Sequence, residues 1–149
     1  MELSIRIGNI ADLDALIDFQ KKMAFESEGL TLDSGLVRKG VSGVLTDENK
    51  GSYLVACEGK NPVACLLVTT EWSDWTGTWY WWIQSVYVDR EYRGKGIYKA
   101  LYNKVKELAA AKGVRNIRLY ADKENLNARK VYEKLGMQES HYLMFEEKI

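Results

Sequence analysis

Hydrophobic positions recur along the chain in two rhythms, one of about two residues and one near 3.6, and their order gives the plan of elements. LSIRI at 3–7 alternates as a short strand does. Asn9, with Asp12 three residues on, fits the start of a helix whose apolar face holds Leu13, Leu16, Ile17, Met23 and Ala24. A second helical pattern begins near Asp33 and aligns Val37, Val41, Val44 and Leu45. Gly35, Gly40 and Gly43 each weaken it by roughly 1 kcal/mol relative to Ala, so this helix is expected to be short or mobile. SYLVACE and PVACLLVTTEW flank the turn residues Gly59, Lys60 and Asn61, the mark of an antiparallel hairpin. A second turn follows at 73–78. WYWWIQSVYV at 79–88 is the densest run of β-formers and is expected to lie centrally in a sheet.

Beyond it, a helix starts at Gly96, carries Ile97, Leu101, Val105 and Leu108 at helical spacing, and stops at Gly113. IRLYA at 117–121 reads as a strand. A shorter helix follows, with Ala128, Val131, Tyr132 and Leu135 on one face and Gly136 just past its end. A last strand is expected over most of 138–147. No repeat or linker interrupts the order, so the expectation is one domain over 1–149, an α+β fold with helices on both faces of a mixed sheet.

Composition narrows the setting. A chain of 149 residues, 46% hydrophobic, can build a real core. Lys plus Arg and Asp plus Glu both number 21, so no net field favours nucleic acid or an anionic membrane, and any charged ligand must be met by a local cluster. The longest apolar run, VACLLV at 63–68, is far too short to span a bilayer, and the acidic start does not resemble a secretory leader. A cytoplasmic protein is expected. Cys57 and Cys65 both fall in strand-like apolar stretches and read as small buried hydrophobes, with neither disulfide framework nor metal-ligand spacing.

The candidate chemistry starts where strand 79–88 gives way to the helix after Gly96. Glycines there let the backbone turn tightly, the first-turn amides of a helix lack acceptors, and the helix dipole favours an anion. Arg93 and Lys95 add full positive charges beside Gly94 and Gly96. A P-loop is excluded because Ile97 stands where Lys would follow the second glycine. A dinucleotide fingerprint fails as well, since its third glycine position is Lys99. A second string, ENLNARKVYEKLGM at 124–137, spaces Asn125, Ala128, Tyr132 and Gly136 along one short helix.

Together the two strings resemble the GNAT superfamily of acetyltransferases, whose loop signature is Arg or Gln, two residues, Gly, one residue, then Gly or Ala. The matched strings cover roughly 80–137. The resemblance implies a GNAT-like, mostly antiparallel mixed sheet of about six strands, and acetyl-coenzyme A as co-substrate without a metal. It implies that the amides of Gly94, Gly96, Ile97 and Tyr98, with the charges of Arg93 and Lys95, meet the coenzyme A diphosphate. The 86–88 stretch, Val86, Tyr87 and Val88, would run beside the pantetheine arm, and Asn125 would also contact the cofactor. Tyr98 departs from the small residue usual at its position, so its ring must turn away from the cofactor or pack against it.

The chemistry such an enzyme needs fits the residues. A neutral amine attacks the thioester carbonyl, and coenzyme A leaves as a thiolate that takes a proton. A phenol of reference pKa about 10 can supply it to a thiol near 8.5, and Tyr132 is assigned that role. Interrupted strand pairing near Val86 would leave an amide for the oxyanion. No general base is evident. Glu26, Glu28, Glu71, Asp74 and Gln84 could border an acceptor cleft, and Glu26, Glu28 and Gln84 are taken as acceptor-binding residues. The acceptor is expected to enter between the start of strand 79–88 and the loop joining the first two helices. His141 reads as a strand residue. Trp72, Trp75, Trp79, Trp81 and Trp82 pack the sheet, with one or two lining a pocket. The expected partner is a small-molecule or peptide amine, with no nucleic acid or membrane, and a homodimer is allowed for. The competing readings are a non-catalytic acyl-coenzyme A sensor of the same fold and an interaction module built on the tryptophan hairpin.

Overall fold

The computed structural model describes residues 2–149. These fall into two compact units, one ending at Leu119 and one covering Tyr120–Ile149.

The first unit is a sheet of five strands in the order β1-β2-β3-β4-β5: β1 Leu3–Ile7, β2 Ser52–Glu58, β3 Asn61–Ser73, β4 Thr78–Val88 and β5 Asn116–Arg118. The first four pair antiparallel, and β5 runs parallel to β4. Helices α1 (Leu13–Glu28) and α2 (Ser34–Thr46) cover one face. There Leu16, Ile17, Phe19 and Val41 pack on Tyr53, Val55, Cys57, Cys65, Leu67 and Tyr87. Helix α3 (Ile97–Ala111) buries Ile97, Leu101, Val105 and Ala109, and it also packs on β2, β3 and β4. Both faces of β2 and β3 are thus covered. That explains why the middle of each reads as a continuous apolar run instead of an alternation.

Local chemistry sets the entries and exits. The Asn9–Asp12 capping box forms, though over a 3-10 turn at Ile10–Asp12 that leads into α1. Asp12 is buried and takes two bonds from Arg6, at 2.7 and 2.8 Å. Arg6 therefore holds the Asp12 carboxyl below its ordinary range. Helix α2 is neither short nor broken: it runs 13 residues. Asp33 caps it through the Leu36 amide, Val41 is buried, and Val37, Val44 and Leu45 pack on the core. Anchored on that side, the helix tolerates its three glycines, because packing outweighs propensity.

The second unit holds α4 (Leu126–Lys134). Asn125 caps it by accepting from the Ala128 amide at 3.1 Å, and Gly136, at φ 95°, lets the chain leave it. The expected last strand over 138–147 does not form, and the five strands that do agree roughly with the expected count of about six. β5 is likewise shorter than the expected 117–121. A strand exists only with a hydrogen-bonded neighbour, and sequence alternation cannot supply one.

Candidate active site

The site is built on the end of β4. Its pairing with β3 steps from Leu67–Gln84 to Cys65–Tyr87, so β4 carries one residue more than its partner across this stretch. Ser85 absorbs the bulge by adopting φ 54°; apart from glycines, it is the one described residue in the left-handed region. The interruption expected near Val86 is therefore present.

Six and eight residues past the end of β4 the loop turns through left-handed backbone, at Gly94 (φ 75°) and Gly96 (φ 76°). Gly96 is the N-cap of α3 and offers no side chain to its first-turn amides. The Ala100 amide bonds Gly96 O and closes the first turn, and the amides of the positions before it, beginning with Ile97, point out of the helix start. A Cβ built on either glycine meets nothing within 4 Å, so the loop faces open space. A diphosphate fits such a cradle: outward-facing helix-start N–H groups, the positive end of a 15-residue helix, and no steric obstruction at the two glycines. The Tyr98 ring lies along the flank of α3, 6.4 Å from that of Tyr102. Lys95 sits over the Tyr92 ring at 5.3 Å.

Arg93 is employed differently from the expectation. Its Nε donates to Val88 O at 2.9 Å and its guanidinium to Glu26 at 2.8 Å. The other Glu26 oxygen accepts from the Tyr87 hydroxyl at 2.8 Å, while Arg90 stands 3.9 Å from the oxygen that Arg93 holds. Tyr87 and then Arg93 hold the Glu26 carboxyl below its usual range. Burial, and next the bond to Glu26, raise the Tyr87 phenol. Glu26 is thus a tied acid, unsuited to act as general base.

Beside this cluster is a cavity of about 530 Å³ between the end of α1, the 29–33 loop and the end of β4. Phe25, Leu30, Leu32 and Tyr87 supply its apolar surface, and Glu26, Asp89, Arg90, Lys21 and Lys22 its charges. Of the three expected acceptor residues only Glu26 lines it. Glu28 is exposed at the last position of α1, and Gln84 donates to Thr69 Oγ1 at 2.7 Å. The cavity lies at the end of β4, whereas the sequence pointed to its start. Lys21, Phe25, Leu32, Asp89 and Arg90 escaped the sequence reading. The one signal for them was a pair of apolar residues, Leu30 and Leu32, in a loop just after a helix-ending glycine.

The remaining groups are placed as follows. Asn125 caps α4, and Tyr132 lies on that helix, half-buried, with a phenol that burial pushes above its ordinary value. Glu71 accepts from Trp82 Nε1 at 3.0 Å and pairs with Arg118 at 3.4 Å. Trp72 and Trp79 stack edge-to-face with centroids 5.0 Å apart. Trp75 is exposed and Trp81 buried, while the His141 ring lies 4.1 Å from that of Tyr142. Both cysteines are buried, and burial pushes the Cys65 thiol up to about 12, which suits it to packing and not to attack. No helix among the described residues is long and apolar enough to cross a membrane, and no cluster of potential metal ligands occurs among them.

Known proteins match this arrangement. A possible acetyltransferase from Clostridium difficile 630 is 42% identical, with a TM-score of 0.95 over 100% of this chain and 99% of that one. A predicted acetyltransferase from Clostridium acetobutylicum, solved with acetyl-CoA, shares the fold at 20% identity, with a TM-score of 0.78 over 97% and 96% of the two chains. An uncharacterized N-acetyltransferase of Methanocaldococcus jannaschii is 40% identical over 57 residues, a match spanning 38% of this chain and only 25% of that relative. The model of the acetyltransferase (GNAT) family matches residues 14–137. With the bulged β4, the glycine cradle and that match in agreement, the chain belongs to the GNAT family of acetyltransferases.

Proposed function

We propose that the protein transfers an acetyl group from acetyl-coenzyme A to a primary amine, with 1–149 acting as one transferase domain in the cytoplasm. One observation carries this reading: two left-handed glycines present an uncapped helix N-terminus to open space directly after a bulged strand. In this reading the 94–98 amides hold the diphosphate, with Lys95 near. Arg93 contributes by bracing the loop from Val88 O, since its guanidinium already serves Glu26. The 86–88 stretch lies along the pantetheine arm, and Asn125 contributes to cofactor binding from the start of α4.

The chemistry follows from these assignments. The acceptor ammonium first loses a proton to water. The neutral amine attacks the thioester carbonyl, and an amide of the bulged 85–87 stretch stabilises the oxyanion. The C–S bond then breaks, the nitrogen loses its second proton, and the thiolate takes the Tyr132 hydroxyl proton, which solvent restores. The raised pKa of Tyr132 keeps that proton in place throughout the neutral range. Titration of the protein with coenzyme A by calorimetry tests the first half of this reading. Release of free thiol from acetyl-coenzyme A across a panel of amines tests the second. Coenzyme A that fails to bind at millimolar concentration overturns both.

A further inference from the structure

The cavity at the end of β4 shows what kind of amine it would hold, given that the protein is an acetyltransferase. Glu26 and Asp89 are its carboxylates. Glu26 is engaged by Arg93 and Tyr87, so an incoming ammonium gains little from it. Asp89 lies within electrostatic reach of Lys22, which is also paired with Asp18 at 2.9 Å. Two cations are left without a carboxylate of their own. Lys21 makes no ion pair among the described residues, and its Nζ donates to Ser34 Oγ at 2.8 Å. Arg90 is largely exposed, and its nearest carboxylate, at 3.9 Å, is the Glu26 group that Arg93 already holds. The same cavity carries the apolar surface of Phe25, Leu30 and Leu32, of which Phe25 is 65% exposed and Leu30 51%. Side chains so exposed gain from covering by a ligand.

We infer that this cavity takes an acceptor amine that also bears a carboxylate and an apolar side chain, as a free α-amino acid does, with Lys21 and Arg90 receiving the carboxylate and Phe25, Leu30 and Leu32 the side chain. A polyamine or an aminoglycoside brings only further positive charge to a rim that already has an excess of it.

The test compares phenylalanine and leucine with their amides, 1,5-diaminopentane and an aminoglycoside as acceptors, with KM expressed per neutral amine. The acids should show KM about tenfold or more below their amides, the size of a charge-assisted contact. In the Lys21→Met, Arg90→Gln double variant that ratio should fall towards one while coenzyme A affinity stays within about twofold. An amide or diamine that matches the acids, or a ratio that survives the double variant, overturns the inference. Calorimetry of acid and amide against protein saturated with coenzyme A reads the same ratio without turnover. Acid binding without thiol release would therefore sink the transferase reading alone, whereas transfer to the diamine without any preference for the acids would sink this inference alone.

Discussion

Arg93 and Glu26, 67 residues apart in the chain, meet at 2.8 Å, and the contact fastens the loop after β4 to the last turn of α1. Arg93, expected from the sequence to meet the diphosphate, here acts as a strut. It holds Val88 O with one edge and Glu26 with another, and its guanidinium carbon lies 5.4 Å from the centre of the Tyr87 ring.

This strut makes a pH-dependent contribution to stability. The Glu26 pKa is lower in the folded protein than in the unfolded chain. Its stabilisation is therefore complete above the ordinary glutamate range and is lost as pH falls through that range towards the folded value. Because the pair is part-exposed, Glu26→Gln should cost only about 1 kcal/mol or less near neutrality. Urea titrations of both proteins should converge as acidification carries Glu26 through the ordinary glutamate range and below its lowered folded value. A gap that stays constant with pH would mean that packing, not charge, accounts for the difference.

Gly96→Ala separates backbone strain from ligand contact. At φ 76° an L-residue pays about 1 kcal/mol, and since a Cβ meets nothing within 4 Å no steric cost is added. The variant should fold with that modest loss, and Gly96→Glu should abolish coenzyme A binding by placing a carboxylate where the diphosphate belongs. Calorimetry decides. Wild-type affinity in Gly96→Glu would move the diphosphate site elsewhere.

Tyr132→Phe removes only a hydroxyl, so fold and coenzyme A affinity should be retained while turnover drops by roughly 10²-fold, the low end for a lost general acid. Burial raises the wild-type phenol above its ordinary value. The alkaline limb of kcat that reports its deprotonation should accordingly lie above the usual tyrosine range and vanish in the variant. An unchanged kcat, where chemistry limits the rate, excludes Tyr132 as the acid.

How far the sequence could be read depended on whether each feature was local. The hairpin at Gly59, the turn at 73–78 and the stop of α3 before Gly113 are set by residues within a few positions, and all appear as expected. The glycine cradle was equally legible, because Gly94 and Gly96 take their meaning from the strand before and the helix after. The tie between Glu26 and Arg93 was not, since no periodicity links positions 67 residues apart. Helix α2 was undervalued for a related reason: its glycines are visible in the sequence, but the packing of Val41 that outweighs them is not. The segment 138–147 failed in the opposite direction: a last strand was expected there from the order of elements, and nothing local could name its neighbour.

Ser85 offers a test of the bulge itself. A non-glycine residue at φ 54° stores strain, and here the strain sits where β4 steps past β3. The serine carbonyl lies 3.9 Å from Cys65 Sγ, a weak contact that a backbone-preserving substitution leaves intact. Ser85→Gly should therefore be neutral or stabilise by up to about 1 kcal/mol, the relief of left-handed strain being offset in part by the extra freedom of glycine in the unfolded chain. Ser85→Val should cost about 1–2 kcal/mol, since a β-branched side chain disfavours that region most. If the bulge positions the oxyanion donor, valine should also lower kcat by about tenfold or more, as expected when one preorganised amide shifts, while the acceptor KM changes little. Denaturant titration and steady-state kinetics on the two variants read both quantities. Loss of stability without loss of kcat in Ser85→Val would show that the bulge shapes the strand and takes no part in acyl transfer.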